Sequence, residues 1–275
     1  SYPLPCAYPA FYALIYVPLS VLPYLWAYGL SLMATAAALV GSVLLLRPVS
    51  ETVRQFPLLV LLALLAYHPV VWQAFGGLNV GLTLFLLSGA YVALVRRREW
   101  TAGVWLGLLL FKPQFAVPLL GLLAWRRQWR TLAAAAATGV CLALAAAILV
   151  SPSWPLSFAR FVLSNEYRLN ERACCGRSHV SLLEAAAVSF PDLPLMYWLF
   201  AALGVAAAVL TLRAWSAPDL FDHQFPFRFG LCLAVTLAWS PHALFYETSL
   251  LIIPVIALVD AWRKEAGNTT GSQRL

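Results

Sequence analysis

Polar side chains able to do chemistry are scarce in this chain. Of 275 residues, 18 are Lys or Arg and 11 are Asp or Glu. Lysine occurs only at Lys112 and Lys264. Lys112 stands in FKPQF between two apolar runs, beside Pro113 and two residues before Gln114. A cation in low-dielectric surroundings next to a helix break can hold a phosphate, or it can snorkel to an interface and cap a short helix. Glu247 lies in SPHALFYETSLLIIP, close to His242 and Tyr246. A carboxylate at the edge of hydrocarbon is costly and marks a site, or it anchors an interface by bonding Tyr or Trp. Asn79 follows Gly76 and Gly77 and offers an amide where a backbone can be approached closely.

Other chemistries lack their residues. His68, His179, His223 and His242 do not recur at metal-ligand spacing, so neither a metal nor a cofactor is expected. No glycine-rich phosphate loop and no Ser-His-Asp order occur. Cys141 and Cys232 fall in apolar segments and read as small packing residues. Cys6, Cys174 and Cys175 fall outside them, and a bond from Cys6 to one of the adjacent pair stays open. The sequon at Asn268 lies in the polar tail and reads as chance.

The composition says what must position these groups. Hydrophobic residues make up 62% of the chain, charged residues 11%, and the mean hydropathy is +0.81. Soluble domains carry roughly a quarter charged residues, and a fold of this size cannot hide so much apolar surface from water. Unbroken runs such as LLVLLALLAYHPVVW exclude the alternating strands of a barrel. The chain reads as an all-α polytopic membrane protein whose partner is the lipid bilayer. The net charge of +7 reads as topology rather than nucleic-acid binding, because the basic residues sit in short clusters between apolar runs.

About nine transmembrane segments are expected, at roughly 24–46, 56–74, 78–95, 101–111, 113–125, 131–151, 193–213, 227–240 and 243–262. Residues 9–22, broken by Pro9 and Pro18, suit an interfacial helix. With the N-terminus outside, the inner loops and tail hold Arg47, Arg54, Arg96 to Arg98, Arg126, Arg127, Arg130, Arg213, Arg228, Arg263, Lys264 and Arg274. The positive-inside rule selects that orientation. Both flanks of 101–125 are then inside, so the stretch must be a short-helix hairpin turning at Lys112-Pro113. Residues 152–192 form an external loop with an amphipathic helix near 158–169. Residues 1–262 read as one transmembrane domain and 263–275 as a cytoplasmic tail. The chain opens on Ser1 rather than Met, and one more helix ahead of Ser1 would make the outward N-terminus natural.

Three motifs, in order, resemble a known family. YPAFYALIYVPLSVLPYLWAY is similar to the YPP-x-F-x-L-L-x-x-P-L-x-x-L-P stretch of bacterial membrane glycosyltransferases of family 87. AFGGLNVGLTLFLLSGAYVALVRRREWTAGVWLGLLLFKPQF resembles their G-Q-N turn, arginine loop and K-P-Q hairpin. AWSPHALFYETSLLIIP resembles their S-P-H-x-x-x-Y-D-x-x-L-L-x-x-P close. The resemblance implies a GT-C-like bundle in the bacterial inner membrane, with the active site facing the periplasm. It implies a sugar transferred from a polyprenyl-phosphate donor to a glycan or lipid acceptor of the cell envelope. Lys112 and Gln114 would hold the donor phosphate, and Asn79, His242, Tyr246 and Glu247 would surround the sugar or acceptor hydroxyl. The chain departs from the pattern in two places. Leu78 stands where glutamine is expected, and Glu247 replaces aspartate. The family's catalytic aspartate precedes the YPP-like stretch, so it is expected upstream of Ser1, with Glu247 the carboxylate left to serve as base. A lipid-linked glycan flippase would need helix repeats and mid-membrane charges, and a non-catalytic scaffold would need no acid at all.

Overall fold

The computed structural model describes residues 8–76, 79–164, 180–190, 192–240 and 243–272. They form a helical bundle. In order the helices are α1 (Ala10–Ala13), α2 (Tyr24–Leu46), α3 (Glu51–Gln55), α4 (Pro57–Ala66), α5 (His68–Gly76), α6 (Val80–Val95), α7 (Glu99–Leu108), α8 (Pro113–Trp125), α9 (Trp129–Leu149), α10 (Trp154–Val162), α11 (Leu182–Ser189), α12 (Pro194–Trp215), α13 (Phe225–Trp239) and α14 (Ile252–Ser272). Three 3-10 helices join them, at Leu14–Leu19, Leu109–Phe111 and Phe245–Leu251. Proline sits in the first turn of α4, α8, α10, α12 and α13, where its missing N–H leaves nothing unsatisfied.

The protein is a multi-pass membrane protein. Four stretches are long and apolar enough to cross a bilayer: Tyr24–Leu46, Trp129–Leu149, Leu195–Trp215 and Phe245–Lys264. Their outer faces are bare hydrocarbon, with Ile148 82% and Leu25 77% exposed. The other expected spans are helices too, but shorter. At 1.5 Å per residue α2 is about 34 Å long and α9 about 32 Å, while α7 with its 3-10 turn and α8 reach only about 20 Å each. The expected segment 56–74 is two helices that part at Tyr67. Residues 9–22 fold onto the bundle rather than only lying along its surface, with Tyr12 buried and α1 packed on α9 and α10. The amphipathic region is helical over Trp154–Val162, and its expected continuation past 164 falls outside the described residues. The last helix runs on to Ser272, through the stretch read as a tail.

The arginine clusters meet at one end. Arg97 donates to Asp219 at 2.7 Å and Arg126 to the carbonyl of Pro218 at 3.2 Å, so both ends of the α7–α8 hairpin hold one loop. Arg130 faces Glu99, Arg263 meets Gln55, and the Thr52 N–H donates to Asp260 at 2.7 Å. Arg228 grips Asp222 at 2.9 Å and holds its carboxyl below the usual carboxylate range, while desolvation works the other way. The hairpin is therefore present, as the basic flanks required. The two turns that flank it share one design. Arg97 and Arg127 both adopt positive φ, 54° and 56°, and the next residue's N–H returns to the carbonyl five back, Arg98 to Ala93 and Gln128 to Leu123. Glycine is the low-strain residue there, so charge has outweighed backbone ease at both positions.

Backbone contact locks the hairpin in place. α7 carries Gly103 and Gly107 against α9. A Cβ on Gly103 would stand 2.3 Å from the Thr131 carbonyl, and one on Gly107 2.5 Å from the Thr138 Cβ. Such small-residue stripes let membrane helices approach until their backbones touch. Gly103→Leu is expected to unseat α7 from α9, because a carbonyl cannot move aside as a side chain can, and overpacking of this kind costs about 3 kcal/mol. Size-exclusion profiles of a fluorescent fusion should lose the monodisperse peak. Gly29→Leu, whose Cβ meets nothing within 4 Å, should keep it.

Candidate active site

Lys112 is placed by the break in the hairpin. Its N–H closes the turn onto Leu109 at 2.8 Å. Pro113 keeps the residue before it out of helical geometry, and Lys112 has φ −120° and ψ 76°. Its carbonyl then opens α8 by accepting from Phe115 and Ala116, at 3.1 and 3.3 Å. The side chain turns inward and is 0% exposed.

Glu247 comes from the far end of the sequence. It occupies the first turn of the 3-10 helix Phe245–Leu251. Its Oε2 accepts from the Leu244 N–H at 3.1 Å and its Oε1 accepts from Lys112 Nζ at 2.8 Å. The carboxylate is 2% exposed. Tyr246 presents its ring 5.9 Å from the ammonium, within the range of a cation–π attraction. The turn itself is braced by α5 and by Tyr67, the residue before it. The Tyr67 hydroxyl and Thr248 Oγ1 lie 2.9 Å apart, and the rings of His68 and Trp72 each lie 6.0 Å from that of Phe245.

A buried ion pair is weak evidence for stability, since desolvating two charges offsets most of their attraction. Its chemical content is clearer. The ammonium has three N–H donors, and Glu247 takes one of them. The pair lies at the turn between the short helices α7 and α8. An anion of suitable shape could share the remaining donors.

The other expected site residues divide. Tyr246 is brought to the pair. Gln114 is half-buried in the first turn of α8 and makes no hydrogen bond to the pair. Asn79 is buried at the start of α6, and its carbonyl accepts from the Thr83 N–H and hydroxyl at 3.0 and 2.9 Å. His242 and Leu78 lie outside the described residues. The sequence reading missed Phe111 and two tyrosines. Tyr12 stacks on Phe111 with centroids 4.8 Å apart and planes 8° apart, and its hydroxyl lies 2.6 Å from that of Tyr16. The signal was present as tyrosine every four residues, at Tyr8, Tyr12 and Tyr16, which is one helical face.

No group of His, Cys, Asp and Glu able to hold a metal occurs among the described residues. A cavity of about 660 Å³ lies at the arginine end, between Tyr91, Arg228 and Asp260. Tyr91 is twelve residues along α6 from Asn79, so about 18 Å away, and the cavity is no part of this site. The sequence model of glycosyltransferase family 87 matches residues 7–241. No curated protein and no solved structure matches the chain.

Proposed function

Since the chain belongs to glycosyltransferase family 87 and is a membrane glycosyltransferase, we propose that its donor is a polyprenyl-phosphate sugar and that Lys112 receives the donor's phosphate. The observation that carries this reading is the fully buried ammonium at a helix break, 2.8 Å from its counterion. A donor of this kind has its phosphate at the membrane surface and its tail in the bilayer. The short helices α7, α8 and α13 stop about 10 Å short of the length of α2, α9 and α12. The orientation proposed puts the arginine end in the cytoplasm and Lys112 toward the periplasm of a bacterial inner membrane. The acceptor is then a hydroxyl of an envelope glycan or lipid.

The chemistry follows from charge. The acceptor oxygen bonds the anomeric carbon, the bond from that carbon to the phosphate oxygen breaks, and polyprenyl phosphate leaves with one more negative charge. A fixed cation in a water-poor site stabilises that developing charge. The acceptor hydroxyl gives up its proton to a carboxylate. Within the described residues Glu247 is the carboxylate beside Lys112. Gln114, Tyr246 and His242 complete the reading as phosphate and sugar contacts.

The test is turnover by the full-length protein in membranes. A radiolabelled polyprenyl-phosphate sugar should label an envelope lipid or glycan, and nucleotide sugars should not. Labelling from nucleotide sugars alone would overturn the donor assignment.

A further inference from the structure

The cavity at the arginine end holds charges that sugar transfer does not use. Carboxylates around it have cations: Asp219 meets Arg97, Asp222 meets Arg228 and Glu51 meets Arg54. Asp260 and Lys264 break this pattern. They stand one turn apart on α14, and both line the cavity. An acid four residues ahead of a lysine readily pairs with it on a helix. Here neither forms an ion pair among the described residues. The half-buried Asp260 turns its Oδ1 to the Thr52 N–H at 2.7 Å, and the ammonium of Lys264 is left exposed. Arg228 also lines the cavity, but its guanidinium is engaged by Asp222 and by the carbonyls of Asp219 and Leu220. The cavity therefore presents a carboxylate and an ammonium held apart. Part of its wall is apolar. Phe227 and Leu231 line it and are 38% and 36% exposed, so the wall continues into the hydrocarbon-facing surface of α13.

A space of about 660 Å³ lies within the roughly 300–1,000 Å³ that small-molecule sites occupy. Basic clusters mark this end as the depth of lipid headgroups, so the molecule at hand to fill it is a lipid. Charge selects the headgroup. A phosphate suits Lys264, and Asp260 asks for a cation with an N–H to give. We propose that this cavity binds a phospholipid with a primary ammonium headgroup, a phosphatidylethanolamine, its ammonium on Asp260, its phosphate on Lys264 and an acyl chain along Phe227 and Leu231. Phosphatidylglycerol brings no cation to Asp260, and phosphatidylcholine brings one without an N–H. A zwitterion answers both charges and leaves the cavity neutral. The site lies apart from Lys112 and stands independently of the donor reading.

The test is native mass spectrometry of the full-length protein, titrated separately with dioleoyl phosphatidylethanolamine, phosphatidylglycerol and phosphatidylcholine. The wild type should hold phosphatidylethanolamine about tenfold more tightly than either other lipid, the effect of one charge-assisted contact. Asp260→Asn can still accept from the Thr52 N–H but lacks the charge, and should lose the preference over phosphatidylglycerol. Lys264→Met, at an exposed position, should weaken both of those lipids together. Ala261→Phe puts a ring into the cavity that Ala261 lines and should reduce retention of phosphatidylethanolamine to that of phosphatidylcholine. Thermal unfolding in detergent supplies a second arm. Phosphatidylethanolamine should raise the wild-type midpoint, as any ligand of the folded state does. Free phosphoethanolamine, the same headgroup without chains, should not. Any other order of the three lipids in the wild type overturns the proposal. So does a preference that survives Asp260→Asn or Ala261→Phe. Equal stabilisation by free phosphoethanolamine would make the ligand a soluble zwitterion and overturn its assignment as a lipid.

Discussion

Lys112→Met is expected to abolish sugar transfer while the protein remains in the membrane. The substitution removes a charge-assisted hydrogen bond to phosphate of about 1.5–3 kcal/mol, a loss of roughly 10- to 150-fold in donor affinity. It removes the same cation from the leaving group, so the chemical step slows as well. A second effect must be kept apart. Glu247 is 2% exposed, and stripping one partner from a buried pair costs about 3–5 kcal/mol. The double substitution Lys112→Met with Glu247→Gln removes both charges and should restore the thermal midpoint toward wild type. Activity should stay absent. Lys112→Arg should not rescue, because a planar fork does not fit where a 0% exposed ammonium sits. Normal transfer by the stable double variant would show that Lys112 serves packing and not the donor.

Glu247→Gln should act on the donor in the opposite direction. In the unliganded protein the carboxylate occupies Lys112, so an incoming phosphate must compete for the ammonium at 2.8 Å. A third charge in low-dielectric surroundings would also leave the site with net negative charge. Glutamine keeps the shape and can still accept from the Leu244 N–H, but it no longer repels the phosphate. Donor KM is therefore expected to fall about tenfold, equivalent to about 1.4 kcal/mol. The rate at saturating donor reports a separate matter. A fall of a hundred- to ten-thousand-fold would make Glu247 the base, and an unchanged rate would take that role from it. An unchanged or raised donor KM would remove the competition between carboxylate and phosphate.

Much of this arrangement was legible in the sequence because the bilayer imposes simple rules. Apolar runs marked every long helix, and the basic flanks at Arg96 to Arg98 and Arg126 to Arg130 demanded a hairpin turning at Lys112-Pro113, which the structure contains. Lys112 and Glu247 were each legible from the cost of a charge in an apolar setting. Their pairing was not, since 135 residues separate them and nothing local encodes which carboxylate meets which ammonium. The division of 56–74 was signalled by Pro69, which fits the first turn of α5 and not the middle of one long helix. Tyr12 escaped notice because Pro9 and Pro18 made its segment look like a surface belt. Its tertiary packing on Phe111 outweighs that local appearance.

The same separation has a consequence for biogenesis. α7 packs on both α6 and α9, from nearby stretches of chain, so these helices can associate while the ribosome is still working. The counterion of Lys112 arrives 135 residues later, roughly 7 to 27 s at about 5–20 residues per second. Throughout that interval the ammonium has no carboxylate, and hydrocarbon is a poor place for it to wait. A cation in hydrocarbon without a counterion is costly, so the site is complete only when the Phe245–Leu251 turn docks and brings Glu247 to Lys112.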